Sequence, residues 1–198
     1  MPIFFRGDGP GTHWAVNDAQ SNGFTARSPH IGHSPDRMMH HIERTPIGAT
    51  TAILSPYISL TASRDVARVY ALFGTRGIAT SLNPGFIYEV EIERDSTDPK
   101  FTQLYDPVKE IAGSLPAPPA AMPYQHRHYP GILLGVVAPR LLASFMRAGL
   151  IGPPGTGMPL WSSVTMQLRC LVHALRDAEL LALDFIPKAC VLARHSVY

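Results

Sequence analysis

Arg6, the hydroxyl pair Ser59 and Thr61, and Glu110 are the residues of this chain whose types and order suit a shared chemical task. A guanidinium held by a strand grips a phosphate through two parallel hydrogen bonds, which the point charge of a lysine does not reproduce. A carboxylate facing a sugar carbon stabilises the positive charge that develops there when a glycosidic bond breaks, an effect felt mainly in the transition state. Singly, each is ordinary: an arginine at a strand end, a Ser-x-Thr pair and a glutamate near a loop are usually surface features. Their order, and the elements between them, give the set its meaning.

Those elements follow from periodicity. Residues 3–5 are apolar and run into Arg6-Gly7-Asp8-Gly9-Pro10-Gly11, which predicts a short strand with Arg6 at its end. Residues 12–49 read as loops and short helices, one of them over 38–42. Ser55 to Thr61 mixes β-branched, aromatic and hydroxyl residues. Directly after it Val66, Val69, Tyr70 and Phe73 share a helical face, with Asp65 at the positive end and Gly74 as a stop. A strand leading into an amphipathic helix is expected there. Residues 85–93 set Tyr88, Val90 and Ile92 against Ile87, Glu89, Glu91 and Glu93, the clearest strand of the chain. A short strand over 109–112 puts Glu110 at its start, and a buried one is expected over 132–138, after a long connection through 114–130. Residues 141–150 read as a helix, 151–159 as a break and 161–183 as a last helix. Its stripe of Val164, Leu168, Leu171, Val172, Leu175 and Leu181 suits core packing first and a partner surface second.

Phe4-Phe5-Arg6-Gly7-Asp8, Tyr57-Ile58-Ser59-Leu60-Thr61 and Lys109-Glu110-Ile111, in that order, resemble the Arg, Ser-Thr-Ser and Glu-x-Glu signature of cholera-toxin-like ADP-ribosyltransferases. The pierisin and scabin group, which modifies DNA, shares that signature. The resemblance covers roughly residues 3–138 and implies an α+β fold: a split β-sandwich with flanking helices and a cleft for NAD⁺. Arg6 would bind the pyrophosphate, and Glu110 would accept the ribose 2′-hydroxyl as nicotinamide leaves. Ser59 would orient that glutamate with support from Thr61, and Gly7 and Tyr70 would line the same cleft. The catalytic core would occupy 1–140, and 141–198 would be a C-terminal helical extension, packed on the core or binding a partner such as a protein that neutralises a toxin.

Two departures from the pattern bear on the acceptor of ADP-ribose. Ser-Leu-Thr stands where the family often has Ser-Thr-Ser, and Val108 stands where the family has a Glu or Gln that contacts the acceptor. Valine neither accepts a bond from a guanidinium nor activates an amine, so arginine is the least expected acceptor. A nucleotide or nucleic acid, and a protein hydroxyl or amide, remain open. With water as acceptor the chain would be an NAD⁺ glycohydrolase. Outside enzymes, the alternative is a non-catalytic protein-binding module.

Other features narrow the classes. His30, His33, His40, His41, His126 and His128 lack companion cysteines and a His-Glu-x-x-His helix, so they read as loop histidines and no metal is expected. Gly152-Pro153-Pro154-Gly155-Thr156-Gly157 lacks the Lys-Ser/Thr ending of a phosphate loop and reads as a linker. At 198 residues one core suffices, while 19 prolines, 16 glycines and only 16% charged residues point to many loops and a partner-covered surface. A net charge of +2 is too small to imply nucleic acid, though it does not exclude it. Cys170 and Cys190 read as buried thiols. Arg6 leaves no room for a signal-peptide apolar region, and no run reaches the ~18 apolar residues of a spanning helix. A soluble protein without membrane contact is expected, cytoplasmic or secreted without a cleavable signal.

Overall fold

The computed structural model describes residues 3–43, 54–92, 102–114, 125–126, 129–133 and 166–198, which form a mixed α+β structure. The first half runs β1 (Ile3–Asp8), α1 (His13–Val16), α2 (Ala19–Asn22), β2 (Phe24–Thr25), α3 (Pro35–Glu43), β3 (Tyr57–Thr61), α4 (Arg64–Leu72), β4 (Phe73–Gly74), β5 (Gly77–Ile78) and β6 (Gly85–Glu91). The second runs β7 (Leu104–Tyr105), α5 (Pro107–Ser114), β8 (Gln125–His126), β9 (Tyr129–Leu133), α6 (Met166–Arg176), β10 (Glu179–Leu183), β11 (Phe185–Ile186) and β12 (Val191–Val197). One six-stranded sheet dominates, in the order β12-β6-β1-β3-β10-β7. All its pairings are antiparallel.

Strand alternation gives this sheet two apolar faces. On one, Phe4, Ile58, Leu60, Tyr88, Val90, Leu180 and Ala182 bury against Ala19, Phe24 and Ile186. On the other, Ala67 and Ala71 of α4 cover Phe5 and Ile87, while Tyr57 and Leu181 lie with Met38, Ile42, Ile111, Cys170 and Leu171 from α3, α5 and α6. Tyr88, Val90 and Ile92 are all buried, as their alternation predicts.

Helix α4 starts where Ser63 Oγ accepts the Val66 N–H at 3.3 Å, with Asp65 in the first turn complementing the dipole. It lies so close to the sheet that a Cβ at Gly7 would collide with the Ala67 carbonyl. Only backbone fits between them. Gly7→Ala is therefore expected to push α4 outward and cost about 1–3 kcal/mol, roughly 3–10 °C of melting temperature. A thermal melt identical to that of the parent would remove this close approach.

Several elements differ from the periodicity reading. β1 continues through Arg6 to Asp8, because Arg6 stays in register with Tyr88 of β6. Glu110 does not start a strand: residues 107–114 are α5, opened by Pro107 behind Asp106, whose Oδ1 accepts the Lys109 N–H at 3.3 Å. The last helix ends at Arg176, and Glu179 to Leu183 form β10, inside the sheet between β3 and β7. With β12 on the opposite edge, residues 166–198 belong to the core and are not a helical extension of it. Leu171 is buried in that core and Leu175 packs against it; Val164 lies outside the described residues. The strand expected over 132–138 is described only to Leu133, paired with β8. The helix at 141–150 and the break at 151–159 lie outside the described residues. Cys170 is buried and Cys190 half-buried. Among the described residues no helix is long and apolar enough to cross a membrane.

Candidate active site where two central strands part

β1 and β3 are joined at a single register pair, Phe5 with Thr61. Beyond it the strands separate, and the Ser59 carbonyl accepts from Arg6 Nη1 at 3.0 Å in place of a β1 amide. Asp8, on the same strand face, takes Arg6 Nε at 2.7 Å and Nη2 at 3.0 Å. Burial raises the Asp8 carboxyl above its ordinary range despite the opposing pull of Arg6. The guanidinium is thus fixed in the gap, over the Phe24 ring, and each terminal nitrogen keeps a further N–H to offer.

The pocket at this gap is lined by Phe5, Arg6, Gly7, Ser59, Leu60, Thr61, Val66, Tyr70, Asp177 and Glu179. Arg6, Gly7, Ser59, Thr61 and Tyr70, which are far apart in sequence, therefore meet here. Glu110 does not line it. From α5 its carboxylate lies 3.1 Å from His33 Nε2, in a cluster where His33 stacks on Tyr105 and bonds the Tyr57 hydroxyl at 2.8 Å.

Two carboxylates do line the pocket, Asp177 and Glu179, and Glu179 is the one with an oxygen left unpartnered. As the first residue of β10 it is in register with Thr61, and it is 7% exposed. Burial, the largest influence, raises its carboxyl above the usual range; the nearby Asp177 adds to this, and His173, the Ser59 hydroxyl bond and Arg176 oppose it. Its Oε2 is buried without a hydrogen-bond partner. A buried acceptor left open in this way suits a donor that arrives with a ligand.

Behind Ser59 lies a histidine to which sequence reading gives no role, within the short helix expected over 38–42. His41, on α3, is buried, with Nε2 2.8 Å from Ser59 Oγ and Nδ1 2.7 Å from Ser55 Oγ. Burial first, then Arg6, Arg27 and His173, lower its pKa to about 3, so the ring is neutral. His41 thereby bridges two serine hydroxyls, and in the neutral ring one nitrogen donates and the other accepts. Ser55, His41 and Ser59 form one hydrogen-bonded chain behind the pocket.

No family model matches this chain, and no curated protein does. What the pocket can do is therefore read from its own atoms. Thr61 spends its hydroxyl within the protein, donating to the Asp177 carbonyl at 2.6 Å and accepting the Ser63 N–H at 3.0 Å. The Tyr70 hydroxyl donates to Asp177 Oδ2 at 2.7 Å, leaving the ring as a wall. Burial and the Asp177 charge raise the Tyr70 hydroxyl far above its ordinary range. The open polar groups are the spare Arg6 N–H and Glu179 Oε2: an anion site beside a carboxylate. Among the described residues no group of three or more His, Cys, Asp or Glu is arranged to hold a metal.

Asp177 and Glu179 had a legible signal. An acidic residue two positions before a glutamate, at the start of an apolar run, is the Glu-x-Glu-like spacing sought at residues 108–110. The run Leu180-Leu181-Ala182-Leu183 was counted into the preceding helix, which hid it.

Proposed function

We propose that this pocket binds NAD⁺ and breaks its nicotinamide glycosidic bond, with Glu179 in the part that the motif resemblance implies for Glu110. One observation carries this reading: Glu179 Oε2 is buried and unpartnered, and Glu179 lines a pocket together with Arg6. The parting of β1 and β3 beside Arg6 supports the finer assignment of an ADP-ribosyltransferase-like split sandwich.

In this mechanism the spare Arg6 N–H groups hold the pyrophosphate. The ribose 2′-hydroxyl donates to Glu179 Oε2. As the bond from C1′ to nitrogen breaks, its electron pair leaves with nicotinamide, and the charge growing on C1′ is stabilised by the carboxylate. An acceptor then attacks C1′ and releases its proton. Val108 has no bearing on the acceptor when Glu179 takes this part, since the position two before Glu179 is Asp177. Arginine is still ranked last, on a new ground: the Asp177 carboxylate already takes Arg176 and Tyr70. Nucleotide or nucleic acid and protein hydroxyl or amide are the proposed acceptors, and water makes the chain an NAD⁺ glycohydrolase.

Labelled NAD⁺ offered together with protein, DNA, RNA and nucleotide pools tests both parts. Nicotinamide release is expected, and the pool that takes label names the acceptor; intact NAD⁺ after long incubation overturns the reading. Arg6→Lys keeps a cation beside Asp8 but loses the two-pronged grip, so NAD⁺ affinity by calorimetry should fall about tenfold or more. Undiminished affinity would take Arg6 out of the site.

A further inference from the structure

We infer that Asp177 is a positioning residue for Glu179, an internal anchor that sets the first residue of β10 and makes no contact with the acceptor. The kinetic part of this inference rests on the NAD⁺ reading above; the structural part does not.

The chain passes from α6 into β10 through only Asp177 and Ala178. Ala178 takes φ +46, a left-handed conformation that favours glycine, and no glycine is there. Something must hold it. The Asp177 carboxylate receives Arg176 Nε at 2.7 Å and Nη2 at 2.8 Å, a bidentate pair, and the Tyr70 hydroxyl at 2.7 Å. His173 Nε2 lies 2.9 Å from the same Oδ2, off the alignment of a true hydrogen bond. The backbone is tied as well: the Asp177 carbonyl accepts from Thr61 Oγ1, and the Ala178 carbonyl from the Ala62 N–H at 3.0 Å. Asp177 thereby joins α6 to both α4 and β3 across the turn that aims Glu179.

The same contacts keep an acceptor off Asp177. It is 3% exposed, and an incoming guanidinium or amine would have to displace an arginine already bound through two nitrogens. The Arg176 and His173 contacts hold its carboxyl down at about 2 against the opposing effect of burial, so it stays ionised and paired. The charged and titratable groups around it are Arg176 and His173 on α6, Tyr70 on α4 and Glu179 on β10.

Tyr70→Phe and Asp177→Asn, made in the full chain, test this with readouts that a merely structural role would not move. In Tyr70→Phe, NMR should find amide exchange at Ala178 and Glu179 faster by about tenfold or more, with β6 amides unchanged. Nicotinamide release should lose about tenfold or more in kcat with little change in KM, as for a misaimed group. In Asp177→Asn, release without acceptor and transfer to acceptor should fall by the same factor. Carboxyl NMR should find Glu179 titrating lower in that variant, because a neighbouring negative charge is gone. Loss of transfer with normal release would make Asp177 an acceptor contact and overturn the inference, as would unchanged exchange at Ala178 and Glu179 in Tyr70→Phe. If the parent protein releases no nicotinamide, it is the NAD⁺ reading that fails, and the exchange and titration results still decide the anchor. Should Asp177→Asn not fold, Tyr70→Phe decides alone.

Discussion

In Glu179→Gln, nicotinamide release is expected to fall by at least ~10²-fold, whereas Glu110→Gln should leave it near the parent rate. Glutamine keeps the shape and an oxygen that can accept the ribose hydroxyl, so ground-state binding should change little. It loses the negative charge, whose main partner is the positive carbon of the transition state. Glu110, held by His33 outside the pocket, has no path to that carbon. The pH profile adds a second mark. Burial raises the Glu179 carboxyl, so the parent should gain activity as pH rises through a point above the ordinary carboxylate value, and the variant should lose that limb. Stability should move the other way. A carboxyl with a raised folded pKa favours the protonated fold, so its ionised form costs stability above that pKa, and Glu179→Gln should melt at or above the parent temperature near neutral pH. Normal release from Glu179→Gln with loss in Glu110→Gln would reverse the assignment.

The largest expected stability effect belongs to His41. Its folded pKa is about 3 against 6.5 for the free side chain. Between those values the unfolded chain binds a proton that the fold refuses, so stability is lost as pH falls, by about 1.4 kcal/mol per pH unit. Over that window the loss is on the order of 5 kcal/mol. Asp177, lowered to about 2, adds a further loss only below the ordinary aspartate value of 3.8. Glu179, raised, acts in the opposite direction. A variant isolates the histidine from these. In His41→Gln an amide N–H can still serve Ser59 but cannot titrate, so its stability between pH 6.5 and 4 should slope less than that of the parent by about one proton. Urea titrations at stepped pH measure this, and parallel slopes would mean that His41 is not a buried neutral ring.

What was legible in sequence was where local pattern and tertiary packing agree. β3 running into α4 announces itself by a change of period and by the Ser63 cap, and β6 by an alternation that packing preserves on its Tyr88 face. Ser59 and Tyr70 came with those elements, and Arg6 with the apolar run that opens β1. The missing carboxylate came with the ones misread. Asp106-Pro107 is a helix-opening pair, yet the short apolar run after it was given a strand's period. α6 and β10 are both apolar, and the turn between them uses Ala178 with no glycine or proline, so nothing in composition marks the stop. Beside its neighbour Arg176, that turn is specified by Tyr70 and Thr61 acting on Asp177, contacts that exist only once distant segments meet. His41 was hidden for a similar reason, because its partners Ser55 and Ser59 become neighbours only in the fold.

The sheet order carries a consequence for the life of the molecule. Arg6 lies in β1 and Glu179 in β10, with β3 between them in the sheet and most of the chain between them in sequence. During synthesis Arg6 and Ser59 are made before the carboxylate that completes the pocket. A nascent chain that stops before β10 holds Arg6 and Ser59 but lacks Glu179, the group on which the proposed reaction depends. Such long-range pairings also slow folding. A single cut between β3 and β10 that let the pieces part would take Glu179 away from Arg6 and Ser59 and so dismantle the pocket.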